Sequence, residues 1–165
     1  MKPVNHIKIS KKMSVNELVL KMDSVGVLAA GRLGKAVNIC EAMIKDKQCN
    51  VFLGLAGPLV PGGMREIIID VIENKWVDVV VTTGATLTHD LGEALGYRHY
   101  QGDAHADDAE LHKKGFDRVY ESYMPNEIYE GIEDFISANF ESLKTKKSIR
   151  EFLWEIGRLT PSRSI

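Results

Sequence analysis

Two short stretches of small residues carry the clearest chemical signal in the sequence. The stretch AGPLVPGG follows the apolar segment VFLGL, and the stretch TGATL follows the apolar segment WVDVVVT. Each stretch leads into a helical pattern, so backbone N–H groups and the positive end of a helix dipole could bind the same anion. Loops of this type hold phosphates or a dinucleotide at the carboxyl ends of parallel strands. A strand-to-helix turn without a ligand is the alternative for residues 57–63, because glycine is common in all turns.

Polar side chains beside the second stretch could serve the same site. Thr82 and Thr83 end an apolar segment, where they either contact a cofactor or close a buried strand. Thr88 is predicted to cap the helix that follows. His89 could contact a substrate or carry a proton near neutral pH, or it could face solvent in the first turn of that helix. Asp90 could do no more than favour the helix N-terminus through its charge.

A second polar segment, residues 97–115, contains imidazoles and carboxylates, which are ligands for zinc or iron. The spacing of these groups matches no standard zinc pattern, and the whole segment is polar. A solvated loop is therefore the favoured interpretation, and no metal site is predicted. The groups are His99, Asp103, His105, Asp107, Asp108 and His112.

The spacing of apolar residues predicts the elements that would hold these loops. Ser14 is predicted to cap a short helix that ends before Gly26, and a second helix is predicted over residues 31–45. A crossover helix is predicted over residues 64–74. It is followed by a strand over residues 76–81, whose continuous apolar character indicates burial on both faces.

The last third of the chain is predicted to contain one strand and two helices. The segment FDRVYES has the character of a third strand. Asn126 is predicted to cap the helix NEIYEGIEDFISANF, whose apolar residues recur with helical spacing. Ser148 and Glu151 have the spacing of a capping box at the start of a final helix.

Strands that alternate with helices predict an α/β fold with a parallel sheet and helices on both faces. Three strands are few for such a sheet, which averages about 5–6 strands, and its edge would be open. We therefore expect the sheet to be incomplete, so that further chain or another subunit completes it. An N-terminal extension with a short helix is assigned to residues 1–24, and the main domain to residues 25–165.

The composition is that of a globular protein and argues against several classes of function. Of the 165 residues, 44% are hydrophobic and 27% are charged, and the formal net charge is −2. This balance provides no basic surface for nucleic acid, and the single basic run, Lys144–Lys147, is interpreted as a solvated linker between helices. No apolar run approaches the roughly 18 residues of a membrane span. The N-terminus also lacks the apolar region of a signal peptide.

Cysteines and aromatic residues are assigned to the interior. Cys40 and Cys49 lie in or beside apolar segments without a CxxC pairing, so they are predicted to be free, buried thiols in a reducing cytoplasm. Trp76, Trp154 and the phenylalanines lie on apolar faces, and core packing is predicted for them.

Four segments of the sequence match one known family in order and with similar spacing. They are GRLGKAVNICEAMI, FLGLAGPLVPGGMREII, VDVVVTTGATLTHDL and MPNEIYEGIEDFI. Together they resemble the deoxyhypusine synthase family, including its bacterial and archaeal deoxyhypusine-synthase-like branch. The resemblance runs from about Val25 to the last residue.

The resemblance implies a Rossmann-like fold, a homotetramer and NAD bound at a subunit interface. It also implies that hydride is removed from spermidine and that an imine forms with an enzyme lysine. The aminobutyl group then passes to a lysine of the hypusine-containing translation factor. By position, the first nucleotide-contacting loop corresponds to Gly57, Pro58, Leu59, Val60 and Pro61, and the second to Thr83, Gly84 and Ala85.

The chain departs from the family pattern at three places. Gly57 and Pro58 stand where the family often has Ser and Asn, so side-chain bonds to the cofactor would be lost and backbone donors would remain. The family's acidic pair near the polyamine corresponds to Thr88 and His89, which are assigned as substrate-binding residues although neither provides a carboxylate. No lysine matches the family's catalytic lysine, which lies beyond the matched part, so no catalytic residue is assigned.

Three hypotheses follow. The first is NAD-dependent transfer of an aminobutyl group from spermidine to a lysine of the translation factor, with the catalytic lysine supplied from outside this chain. The second keeps the family but changes the acceptor to another amine, as in homospermidine-type chemistry. The third is a non-catalytic or truncated subunit that assembles with a longer partner.

Overall fold

The computed structural model describes all 165 residues in two units, residues 1–51 and residues 52–165. The first unit holds two helices, and the second holds a two-stranded parallel sheet, a three-stranded antiparallel sheet and six helices. None of the eight helices combines the length and the apolar character that crossing a membrane requires. In chain order the elements are α1 (Val15–Val25), α2 (Leu28–Lys45), β1 (Phe52–Gly54), α3 (Arg65–Glu73), β2 (Val79–Val81), α4 (Gly84–Ala94), β3 (Tyr100–Gln101), α5 (Asp108–Lys113), β4 (Phe116–Val119), β5 (Ser122–Pro125), α6 (Glu127–Ala138), α7 (Phe140–Leu143) and α8 (Ile149–Leu159).

Local capping signals define the first unit. Ser14 caps α1 as predicted, because its Oγ accepts a hydrogen bond from the Glu17 N–H at 3.2 Å and the Glu17 carboxylate accepts one from the Ser14 N–H at 2.7 Å. Gly26 ends the helix with a φ of 72°, which a residue with a side chain rarely adopts. Helix α2 begins at Leu28, three residues before the predicted start at Gly31. The predicted domain boundary after residue 24 falls in the last turn of α1 and stays a prediction.

The second unit begins with the predicted parallel pair of strands. β1 and β2 pair in the register Phe52↔Val79, Leu53↔Val80 and Gly54↔Val81. Burial of β2 on both faces is wrong, because Val79 is 37% exposed and Val81 is 57% exposed, on the same face as Phe52 at 66%. The apolar run identified the strand correctly, but nothing in this chain covers that face.

The prediction of a third parallel strand is wrong. Residues 116–122 instead form β4, a turn at Tyr120 with a φ of 54°, and the start of β5. β5 pairs antiparallel with β4 on one side and with β3 on the other, so a separate small sheet results. The segment predicted as a loop, residues 97–115, contains β3 and the short helix α5. Strand-type residues do not distinguish one parallel strand from two antiparallel strands joined by a tight turn, and the turn at Tyr120 was not recognised in the sequence.

Helices α4, α6, α7 and α8 enclose the core of the second unit. Its buried centre consists of Leu91, Leu143 and Ile156. Helix α4 approaches α6 closely at Gly92, where a Cβ would lie only 2.8 Å from Cγ2 of the fully buried Ile128. This contact fixes the position of α4 in the second unit, and α4 carries the second predicted loop at its N-terminus.

Helix α6 follows Asn126 as predicted, but the side chain of Asn126 does not cap it. Its Oδ1 atom is the only buried side-chain oxygen or nitrogen without a hydrogen-bond partner. The predicted helix is also shorter than expected, because it ends at Ala138 and a separate turn of helix, α7, follows Asn139. Phe140 consequently lies at the surface with 55% exposure.

Three other predicted core residues also lie at the surface. Cys40 is exposed, Trp76 is 45% exposed and Trp154 is 64% exposed, while Cys49 is half-buried; both thiols are free. The Trp154 ring instead lies against the Arg150 guanidinium at 4.9 Å. Apolar spacing identifies the face of an element that avoids water, but it does not say whether another element of the same chain covers it.

Ser148 caps helix α8 as predicted, but the Glu151 carboxylate accepts the Lys147 N–H at 2.9 Å and does not complete the predicted capping box. Ser148 Oγ accepts a hydrogen bond from the Glu151 N–H at 3.2 Å. A buried carboxylate joins α8 to α7. Glu155 is buried and accepts hydrogen bonds from Ser142 Oγ at 2.5 Å and from Arg158, and it pairs with Lys146 at 3.2 Å. These hydrogen bonds, led by that of Ser142, lower the pKa of Glu155 to about 2. Lys146 belongs to the basic run, which joins the two helices as predicted.

Truncation of Ile128 tests the α4–α6 contact. Because Ile128 is fully buried, Ile128→Ala should lower the free energy of unfolding by about 2–5 kcal/mol, measured by urea denaturation. Ile149→Ala is the control, since Ile149 is 80% exposed and its truncation should change stability by less than about 0.5 kcal/mol. Equal effects of the two variants would contradict the packing.

The Glu155 carboxylate makes stability depend on pH. The pKa is about 2 in the folded chain and has the ordinary value of 4.5 when the chain is unfolded. Between these values the unfolded chain binds more protons, so the stabilisation is complete above pH 4.5 and is lost as the pH falls toward 2. The stability difference between the wild type and Glu155→Gln should therefore shrink as the pH is lowered below 4.5 in a series of urea titrations. A pH-independent difference would contradict the assignment.

Candidate functional site

The structure brings the two predicted loops together at the carboxyl ends of β1 and β2. The Leu55 N–H donates to the Val81 carbonyl at 2.9 Å, and Thr82 Oγ1 donates to the Leu55 carbonyl at 3.3 Å. A Cβ at Gly57 would lie 2.6 Å from the Cβ of Ala85, so the first loop touches the first turn of α4. The predicted residues Gly57 and Thr83–Ala85 are therefore neighbours, while their role in binding stays a prediction.

The first loop contains two unusual turns. Residues Gly57–Leu59 form a turn of 3-10 helix, and residues Val60–Met64 form a second turn that is kinked at Gly63, where φ is 83°, before α3 begins. Gly57 and Val60 are buried, whereas Pro58 is exposed. Pro58 and Pro61 have no N–H, and the Leu59 N–H donates to the Ala56 carbonyl at 3.2 Å, so three of the five residues predicted to contact the nucleotide in this loop offer no free backbone donor.

The second loop is the start of a helix. Thr83 has an extended backbone and is the N-cap of α4, but its side chain accepts no capping hydrogen bond. The residues Thr83, Gly84 and Ala85 are all exposed, and a Cβ at Gly84 would meet no atom within 4 Å. The first residues of α4 are therefore exposed and no side chain caps the helix, as anion binding at a helix N-terminus requires.

The prediction that Thr88 caps this helix is wrong. Helix α4 begins at Gly84, so Thr88 lies one turn inside it, and its Oγ1 donates to the Gly84 carbonyl at 3.1 Å. Thr82 Oγ1 lies 2.6 Å from Thr86 Oγ1. Thr82 therefore closes the end of β2 against α4, which is the structural alternative that the sequence left open.

His89 is buried, and the alternative in which it faces solvent is wrong. Its side chain is part of a chain of three hydrogen-bonded groups. His89 Nδ1 lies 3.0 Å from His99 Nε2, and His99 Nδ1 lies 2.8 Å from Glu93 Oε1. Glu93 also accepts the His99 backbone N–H at 3.1 Å and the Arg98 guanidinium at 2.7 Å. We call Glu93, His99 and His89 the imidazole chain.

Burial and hydrogen bonding set the charges in the imidazole chain. Burial, assisted by the neighbouring His99, lowers the pKa of His89 below its usual value, so the ring is neutral at neutral pH. Burial alone would raise the pKa of Glu93, but the hydrogen bonds from His99 and Arg98 outweigh it and the pKa is lowered. The imidazole chain therefore has a charged carboxylate, Glu93, at one end and a neutral imidazole, His89, at the other.

Asp90 is buried and hydrogen-bonded to Arg65 and to the Ile165 backbone. Its role is therefore not limited to the favourable effect of its charge on the helix N-terminus. Asp90 is 3% exposed, and burial raises its pKa although Arg65 opposes this effect. Its Oδ1 accepts a hydrogen bond from Arg65 Nε at 2.8 Å, and its Oδ2 accepts one from the Ile165 N–H at 3.0 Å. Because Arg65 follows the first loop directly, this ion pair joins the end of that loop to α4.

The other polar residues of segment 97–115 serve local structure. Asp107 caps α5 by accepting the Ala109 N–H at 2.8 Å, and Asp108 pairs with Arg118 at 2.5 Å. Asp103 Oδ1 accepts the His105 N–H at 2.9 Å, and His112 is exposed in the last turn of α5. No group of three or more His, Cys, Asp or Glu side chains in the chain is arranged to hold a metal ion.

Sequence reasoning missed the imidazole chain because it joins residues from two separately interpreted segments. His89 and Glu93 are four residues apart, which places them on one face of a helix, and this spacing could have been noticed. His99 was assigned to a solvated loop. The turn between α4 and β3 places His99 beside His89 and Glu93 of α4.

Comparison with known proteins identifies the relatives of this chain. A family model described as deoxyhypusine synthase matches residues 17–165. A probable deoxyhypusine synthase of Methanosarcina thermophila is 41% identical over 94% of this chain and 49% of the relative. One of Methanothermobacter thermautotrophicus is 43% identical over 93% of this chain and 51% of the relative. A deoxyhypusine synthase-like protein of Chlorobaculum parvum is 35% identical over 99% of this chain and 47% of the relative.

The chain spans about half the length of the curated relatives that it matches. The match covers both predicted loops, the imidazole chain and the helices behind them. The two archaeal relatives are named probable deoxyhypusine synthases, and deoxyhypusine synthases are a transferase family. We conclude that the chain belongs to the deoxyhypusine synthase family.

Proposed function

We propose that this chain forms the NAD-binding part of an enzyme that transfers the aminobutyl group of spermidine to a lysine of the hypusine-containing translation factor. The meeting of the two loops at Gly57 and Ala85 is the observation that carries this proposal, together with family membership. The catalytic lysine belongs to the part of the relatives that this chain does not span. The acceptor is a translation factor, so the cytoplasm is the expected location.

The residues around the loops fit an anionic dinucleotide. The N-terminus of α4 is uncapped, its first residues are exposed, and the space beside Gly84 is open. A pyrophosphate at this point would accept hydrogen bonds from the N–H groups of Gly84 and Ala85 and would be stabilised by the helix dipole. Thr83 Oγ1 makes no capping bond and is available as a side-chain donor.

The first loop would contribute shape more than hydrogen bonds. Pro58 has no N–H and the Leu59 N–H is already bonded, so Gly57, Val60 and Pro61 would form an apolar wall. NAD, when bound, would supply the hydride acceptor for oxidation of the amine. Orientation of the cofactor would therefore depend mainly on α4.

The amine would be recognised differently from the family pattern. Thr88 donates its hydroxyl hydrogen bond inside α4, and His89 is neutral, so neither provides a negative charge for an ammonium group. His89 could accept a hydrogen bond from an amine. This difference supports the second candidate function, a transferase of the same family whose acceptor is a free amine, as in homospermidine-type chemistry.

The exposed face of the parallel sheet supports assembly with further polypeptide. Phe52, Val79 and Val81 form an apolar surface on a two-stranded sheet, whereas parallel sheets are covered on both faces. We propose that the remaining half of the relatives' length completes a Rossmann-like sheet here and that the complete protein is a homo-oligomer. Under the third hypothesis, this chain contributes only its fold to such an assembly.

Substitution of Gly57 tests the cofactor site. Gly57→Ala places a Cβ 2.6 Å from Ala85 and must move the first turn of α4, so NAD should bind at least about tenfold more weakly. The measurement is isothermal titration calorimetry with NAD. It uses the complete assembly, which is this chain together with the polypeptide that supplies the other half of the relatives' length.

Gly62→Ala in the same loop is the matched control. A Cβ at Gly62 meets no atom within 4 Å, and NAD affinity should stay within about twofold of the unaltered assembly. If the unaltered assembly binds no NAD, or if both variants weaken binding equally, the cofactor proposal is wrong.

A comparison of acceptors separates the two candidate reactions. The complete assembly is supplied with spermidine and NAD and with either the translation factor or free diamines, and aminobutylated products are measured by mass spectrometry. Product only with the translation factor supports the first function and rejects the second. Product with diamines alone supports the second.

A further inference from the structure

The terminal nitrogen of the imidazole chain has no partner in the protein. His89 is 8% exposed, and its Nδ1 is engaged by His99, but its Nε2 makes no hydrogen bond. Asn126 Oδ1 is the only fully enclosed side-chain atom without a partner, so His89 Nε2 retains access to solvent. The His89 ring is therefore almost completely buried, but its Nε2 has no hydrogen-bond partner and is accessible to solvent.

His89 lies near the two loops, because it is one turn away from Ala85 in α4. Ala85 and His89 are four residues apart in α4, so they lie on one helix face, about one turn or 5–6 Å apart along the axis. Ala85 is the residue that touches Gly57. His89 thus lies one helical turn along α4 from the point where the two loops meet.

The carboxylate at the other end fixes the position of one proton on His99, and this proton influences the tautomer of His89. Glu93 only accepts hydrogen bonds when ionised, so His99 must carry its proton on Nδ1. When His99 carries only this one proton, its Nε2 is an acceptor and takes a hydrogen bond from His89 Nδ1–H. His89 is left with a lone pair on Nε2. The backbone N–H of His99 and the Arg98 guanidinium hold Glu93 in place, so the carboxylate has little freedom to turn away.

We propose that Glu93 and His99 are positioning residues that hold His89 in the Nδ1–H tautomer, and that His89 Nε2 accepts a proton from the ammonium group of the substrate amine. The amine as ligand rests on the proposed function. In this step one N–H bond of the ammonium breaks and one Nε2–H bond forms, with no change in oxidation state. The amine then has the lone pair that hydride loss from its neighbouring carbon requires.

The imidazole chain also accommodates the charge that this step creates. A proton on His89 Nε2 makes the ring cationic in a site where burial disfavours a cation. Glu93 lies one imidazole away and is negative, so the positive charge is balanced through His99 as in other carboxylate–histidine arrangements.

The tautomer can be measured without catalysis. In nitrogen-15 NMR spectra of the 165-residue chain, His89 should show a protonated Nδ1 and an unprotonated Nε2. His99→Phe should move the proton of His89 to Nε2, the tautomer that free neutral histidine prefers. His99→Gln should restore the original pattern, because the amide oxygen can accept the Nδ1–H bond. His105→Phe is the control in the same segment; His105 is exposed, and its loss should change nothing at His89.

The experiments test the tautomer of His89 and the binding of an amine at its Nε2 separately. A proton on Nε2 of wild-type His89, or an unchanged pattern in a folded His99→Phe variant, overturns the imidazole chain whatever the enzyme does. If the tautomer is correct but the Nε2 resonance does not move when spermidine is added to the NAD-bound complete assembly, the amine assignment is overturned. In that assembly His99→Phe should slow amine oxidation by about 100-fold or more, with rescue by His99→Gln. Absence of any transfer product with the wild-type assembly would instead reject the proposed function.

Discussion

At Gly57 the backbone of the first loop lies against the first turn of α4, with no room for a side chain between them. This contact joins the carboxyl ends of β1 and β2 into one surface and makes the two loops neighbours. The Arg65–Asp90 ion pair reinforces it from the far end of the loop. Because α4 is itself held by Ile128 at Gly92, the geometry of the candidate site depends on two glycines and one buried charge pair.

The same helix serves three purposes along its length. Its N-terminus is open for an anion, its middle carries His89 and Asp90, and its last turns enter the hydrophobic core through Leu91 and Ala94. Glu93 and His89 share one face, whereas Asp90 faces Arg65. Substitutions in α4 would therefore alter binding and stability together, and only matched variants can separate these effects.

Local signals in the sequence predicted local structure well. The caps at Ser14 and Ser148, the parallel strands and the helix after the first loop were confirmed, because each depends on residues within one turn or one strand. The start of α4 was misplaced because Thr83 and Thr88 are equally good caps by residue type. The antiparallel hairpin and the partnership of His99 with His89 depend on how the chain returns on itself, which residue spacing does not encode. Predicted burial of β2 and of Trp154 failed because apolar spacing does not say whether another element of the chain covers these side chains.

The sequence distance between the paired strands has a consequence for how the site forms. Leu55 and Thr82 are 27 residues apart, and β1 and β2 contribute only three residue pairs to their ladder. Bringing the two ends of this segment together costs conformational entropy, and the few hydrogen bonds between β1 and β2 offset this cost only after the ends have met. Helical turns form from near neighbours and need no such closure. We therefore expect the helices to appear early in folding, and the surface formed by the two loops to be among the last parts of the chain to reach its final shape.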